Sequence, residues 1–113
     1  MNTVTIGIAS SDETGARMLR AFNGEAQGSF ISFTNPEILW SVITPKRWDI
    51  LRAMTGAGPV AIREIARRVK RDVKSVHGDI HALLKAGVLD RSDEGGIVFP
   101  YDEVHVDFVL RAA

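Results

Sequence analysis

Lys74, Ser75, His77, Gly78 and His81 crowd into one short stretch, KRDVKSVHGDIHALLKAG, Lys70–Gly87. Between them Val73, Val76, Ile80, Leu83 and Leu84 recur at helical spacing, so the stretch reads as an amphipathic helix with one face kept for a core. The other face carries the chemistry. Arg71, Lys74 and Ser75 lie at its leading end, where Arg and Lys donate to guanine edges and Ser reaches bases or phosphates. Gly78 in mid-helix costs roughly 1 kcal/mol relative to Ala. Either a nucleic-acid groove or another protein segment approaching the backbone would give that cost a purpose. His77 and His81, four apart, share a face. Two imidazoles alone are a weak ligand set, and no glutamate follows the first as in a zinc protease. Phosphate contact or plain solvent exposure is therefore the expectation for the pair, and no metal is expected.

Further cations precede and follow this helix. Arg63 and Arg67 are also four apart and would grip one phosphate backbone, unless Glu64 or Asp72 pairs with them instead. Lys46 and Arg47 open an earlier helix, whose free N–H groups also favour phosphate. Arg91 is the only basic residue near the turn SDEGG, whose Asp93 and Glu94 would be repelled by phosphate. The 113-residue chain has no net charge. Its charge is unevenly spread, however: Thr44–Arg91 holds eleven basic and five acidic residues, and the remainder has the opposite imbalance. A basic block inside a neutral chain is an electrostatic footprint for a polyanion.

The elements that must position these residues follow from local signals. TVTIGIAS alternates and reads as a strand. SDETGARMLRAFNG reads as a helix with a Met18–Leu19–Phe22 stripe, and GSFISF as a second strand. Asn35–Pro36 and Thr44–Pro45 each combine a cap with proline at the first helical position, so helices start there. Trp40 and Trp48 are expected in the core of these two helices. PVAIREIARRVK predicts a short helix with Ile62, Ile65, Ala66 and Val69 inward. A break at Lys70–Asp72 leads into the helix described above, which Gly87 ends. VLDRSDEGGIVFP reads as strand, turn, strand, and EVHVDFVLRA as a last strand.

Several classes of function find no support. The chain has no cysteine, so thiolate metal sites and disulfides are excluded. It has no phosphate-binding loop, no dinucleotide fingerprint and no nucleophile–base constellation. The expectation is a protein that is not an enzyme and needs no cofactor. No apolar run approaches the ~20 residues that span a membrane. The opening MNTVTIGIAS does not look like a signal peptide, so a cytoplasmic protein without a membrane partner is expected.

Helix, short helix, tight break, longer amphipathic helix and two-stranded hairpin is the order of a winged helix-turn-helix. In ITPKRWDILRAM, IREIARRVKRDVKSVHGDIHALLKAGVLDR and PYDEVHVDF the sequence resembles small prokaryotic transcriptional regulators of MarR- and ArsR-like winged-helix type. This group includes antitoxin-like proteins. The resemblance spans Phe30 to Phe108 and departs at Ala61, where such proteins often carry a serine cap. It implies double-stranded DNA binding as a homodimer and transcriptional repression. The other reading is an antitoxin or interaction module that neutralises a partner toxin. The expected fold is α+β, a winged helix-turn-helix over residues 35–100. An N-terminal strand–helix–strand extension would occupy residues 1–34, and a C-terminal strand over residues 101–113 would serve dimerisation.

Overall fold

A computed structural model describes residues 2–9, 29–110 and 112. The helix expected over SDETGARMLRAFNG, with its Met18–Leu19–Phe22 stripe, lies outside the described residues. Strand β1, Thr3–Ile8, is followed by β2, Ser29–Phe33. Helices α1, Pro36–Val42, and α2, Pro45–Met54, come next, then α3, Ile62–Val69, and α4, Val73–Lys85. The chain closes through two short strands, β3, Asp90–Arg91, and β4, Ile97–Val98, and a final strand β5, Glu103–Asp107. The architecture is a small α+β domain.

The helix starts obey their caps. The Asn35 side chain accepts from the Ile38 N–H at 2.8 Å, and Thr44 Oγ1 from the Arg47 N–H at 3.2 Å. Each satisfies an N–H that the first helical turn leaves without a partner. Ala61 precedes α3 and offers no side-chain cap. Asp72 caps α4, its carboxylate accepting from the Ser75 N–H at 2.9 Å. Between α3 and α4 the Arg71 N–H reaches back to the Ala66 carbonyl at 3.1 Å, and that of Lys70 to Arg67 at 3.3 Å. This pattern needs a left-handed residue, and Lys70 supplies it at φ 59°, ψ 46°.

The hairpin β3–β4 is antiparallel, with Asp90 opposite Val98 and Arg91 opposite Ile97. Val60, just before α3, exchanges two 2.8 Å backbone hydrogen bonds with Ile97. The hairpin is thereby sewn to the entrance of α3. Gly96 stands at φ +85°, and a Cβ there would lie 3.0 Å from the Val60 carbonyl oxygen, so only glycine fits this crossing.

Three parallel strands form the second layer, in the order β2–β1–β5. Register puts Ile6 beside Ile31 and Val106, and Val4 beside Val104. This apolar face covers the helices. Val4, Ile6 and Phe33 join Leu39, Ile50, Leu51, Met54, Ile65, Val76, Ile80, Leu83 and Phe99 in one core. The start of β1 is fastened to the start of β5. Asn2 and Asp102 exchange backbone and side-chain hydrogen bonds, and Thr3 Oγ1 donates to Glu103 at 2.9 Å.

β1 and β5 pair within one chain, and Val4 and Ile6 of β1 are buried in the shared core. Two expectations are corrected here. Trp40 is not a core residue: it is 58% exposed and meets Phe108 edge-on, with ring centroids 5.9 Å apart. Leu39 and Ile43, four apart, take the inward stripe of α1, and Trp40 lies a sixth of a turn or more outside it. Val73, the first residue of α4, is also exposed.

Candidate nucleic-acid interface

Helix α4 divides as its periodicity requires. Val76, Ile80 and Leu83 are fully buried, and Leu84 is half-buried. Lys74, Gly78, His81 and Lys85 run along the opposite side at spacings of four, three and four. Ser75 and His77 flank that row and are exposed. The His77 and His81 rings touch edge to face, 4.0 Å between centroids. Among the described residues no group of three His, Asp or Glu side chains is placed to hold a metal ion.

Gly78 is decisive for the character of this face. A Cβ built on it meets nothing within 4 Å. Close packing within the described chain therefore does not account for a glycine in mid-helix.

Asp79 lies at the border of the two faces and organises the basic residues nearest to it. Its Oδ1 accepts from Arg47 Nε at 3.0 Å and its Oδ2 from Arg71 Nη2 at 2.7 Å. Partial burial pushes the Asp79 carboxyl up, but the hydrogen bonds from Arg71 and Arg47 outweigh it and hold the group below the ordinary carboxylate range. Arg47 also donates to the carbonyls of Ser41 and Val42, at 3.3 and 3.0 Å, at the end of α1. One arginine thus ties α1, α2 and α4 together.

The sequence expectation made Arg47 and Arg71 nucleic-acid contacts. The structure instead turns both inward, each side chain about one-fifth exposed, because an acid on α4 competes for them at short range. Arg67 is likewise engaged. It grips Glu64 on its own helix with Nε and Nη2, and Arg68 approaches the same carboxylate. Hydrogen bonding from Arg67 is the largest influence holding the Glu64 carboxyl down, to about 2. This exposed pair is the local pairing that the sequence allowed as the other outcome.

Removing these arginines, and Arg52, which faces Asp49, leaves a defined set. Lys46, Arg63, Lys70, Lys74, Lys85 and Arg91 are exposed and make no ion pair among the described residues. Lys70 and Lys74 bracket the α3–α4 turn. Arg91 stands on β3, and the acidic tip with Asp93 and Glu94 is exposed beyond it. Sequence reasoning missed the role of Asp79. The available signal was its position: a lone acid on the edge of an apolar stripe, inside a basic block.

A family model named HVO_A0114 matches residues 42–106, more than half of the chain. The chain belongs to the HVO_A0114 family. The portion shared with HVO_A0114 takes in α2, α3, α4, the β3–β4 hairpin and most of β5, so the α4 face and its Asp79 anchor lie inside it. The β1 and β2 strands lie outside the HVO_A0114 match. No match to the chain emerged among curated proteins or among solved structures.

Proposed function

We propose that this protein is a winged helix-turn-helix regulator that binds double-stranded DNA through the exposed face of α4. The observation that carries the reading is Gly78. A helix interior sacrifices stability at a glycine that no described residue packs against, in the middle of a row of lysine and histidine. A helix laid in a major groove gives that sacrifice a use, because a missing side chain lets the backbone come close to base edges. The free cations on α3, the turn and α4 supply phosphate contacts.

Substitution of Gly78 separates this reading from a structural one. A Cβ at position 78 meets no neighbour, and Gly78→Gln restores helix propensity, so the variant is expected to be more stable by about 0.5–1 kcal/mol. Its affinity for duplex DNA from the protein's own promoter is expected to fall at least tenfold. Fluorescence anisotropy at several salt concentrations measures both the loss and the counterion slope, about 0.9 per phosphate contact. Unaltered affinity in a stable Gly78→Gln protein, or a wild-type affinity independent of salt, defeats the proposal.

A protein partner is supported by a different observation. Trp40, Val106, Val109 and Leu110 are all exposed, and Trp40 and Val106 help line an apolar depression of about 200 Å³ with Ile6, Leu39, Ile43 and Trp48. A homodimer formed through this surface is one reading. A toxin held on the same surface is the antitoxin reading, and co-expression with the product of a neighbouring gene distinguishes the two.

A further inference from the structure

We propose that β5 is the seam of a homodimer, pairing antiparallel with β5 of a second copy about a twofold axis at Val106. This deepens the homodimer reading and rests on it, but not on DNA binding. β5 ends the three-stranded sheet: β1 takes one of its sides, and among the described residues no strand takes the other. An open edge presents backbone N–H and C=O groups to any strand that fits. The side chains of β5 divide between two faces. Val104 lines a cleft with Trp48 and Leu51, Val106 lines the apolar depression with Leu39 and Trp40, and Phe108 meets Trp40, all on the helix side. Glu103, His105 and Asp107 alternate with them on the other face and are exposed.

A twofold axis allows few registers, and the side chains choose among them. Residues directly opposed in an antiparallel pair lie on the same face and interact. With the axis at Val106, that residue meets its own copy, and Val104 meets Phe108 of the second copy. On the other face His105 of each copy meets Asp107 of the other, a ring N–H opposite a carboxylate. The apolar row Val104–Val106–Phe108 then continues across the seam, with Trp40 beside each Phe108. With the axis at His105, Glu103 faces Asp107 twice, and like charges directly opposed destabilise a sheet. With the axis at Val104, Pro100 enters the ladder without an N–H to give. Asp102 would then face Val106, although its carboxylate already accepts from the Asn2 N–H. An isologous contact requires a strand complementary to itself, and β5 meets that requirement with the axis at Val106.

The chain has no cysteine, so a single introduced thiol reports the register. Opposed Cα atoms in an antiparallel pair lie about 4.5–5.5 Å apart, within the span of a disulfide. Val106 is 46% exposed, so Val106→Cys is a mild change. Oxidised at micromolar concentration, the full-length variant is expected to give a disulfide-linked dimer as its main product. Val104→Cys and His105→Cys are expected to stay largely unlinked. Light scattering on the wild type is expected to show a dimer. His105→Asp opposes like charges twice and is expected to weaken that dimer about tenfold. Adding Asp107→His restores unlike pairs and is expected to recover it. A monomeric wild type, or cross-linking through position 104 or 105 in place of 106, overturns the proposal. So does a chain that stays monomeric until the product of a neighbouring gene covers β5, which would make the edge a docking site for a toxin. None of these measurements uses DNA, so their failure leaves the DNA reading standing, and failure to bind a duplex leaves the dimer.

Discussion

Asp79 sorts the arginines of the basic block into those that hold the protein together and those left to meet something else. Removing it leaves Arg47 only the carbonyls of Ser41 and Val42 and takes from Arg71, whose Nη1 is already buried without a partner, its described acceptor; both side chains are about four-fifths buried. Hydrogen bonds between charged groups are worth about 1.5–3 kcal/mol each, less what relaxation recovers. Asp79→Ala is therefore expected to lower stability by about 2–3 kcal/mol in urea denaturation. Acid should act by the same route. The folded carboxyl titrates below its unfolded value of about 3.9, so its contribution is complete above that pH and is lost as pH falls through the folded value. A denaturation series from pH 7 to pH 2.5 should show wild type and Asp79→Ala converging at the acid end. A constant gap between them would mean that the ion pairs are not the source. The sequence discloses the residue types of this cluster but not its pairing. Arg71 and Asp79 are eight apart, and Arg47 and Asp79 thirty-two apart; Arg71 reaches Asp79 from the α3–α4 turn, and Arg47 through the packing of α2 on α4, and neither spacing alone announces a contact.

Among the elements, the α3–α4 turn combines strain with charge. Lys70 is the only non-glycine described residue at positive φ, in the position where glycine is usual. The left-handed region costs an ordinary residue roughly 1 kcal/mol. Lys70→Gly is expected to raise stability by about 0.5–1 kcal/mol, less the added freedom of the unfolded chain. Under the DNA reading it should also weaken binding to every duplex alike and reduce the salt slope by about one contact. Calorimetry and anisotropy on the one variant read both effects, and unchanged binding would remove Lys70 from the interface. The helix boundaries here were legible because caps are local: Asn35, Thr44 and Gly87 act within four residues of themselves. Trp40 and Val73 were misread because hydrophobicity identifies an apolar residue without saying whether its turn of helix has anything to cover it.

At the scale of the whole molecule, the helices and the sheet share one core, and the exposed apolar surface lies where α1 meets β5. If that surface joins two copies, Trp40→Glu should halve the mass seen by light scattering at micromolar concentration and leave the circular dichroism unchanged. A monomeric wild type, or a dimeric variant, excludes this surface. The sheet itself was only half legible. Alternation announced its strands, but parallel pairing between residues about 100 positions apart leaves no local trace, so the partner of β5 could not be read. That separation also imposes a timetable. The ribosome makes β1 about 100 residues before β5, which at 5–20 residues per second is a wait of roughly 5–20 s. Throughout it, the central strand of the sheet has one edge open, and Val4 and Ile6 lack their β5 neighbours Val104 and Val106. Polysomes carry several such nascent chains side by side. The first β5 to reach an open β1 can belong to another copy, so crowded translation favours an exchanged dimer that slow, dilute refolding would avoid.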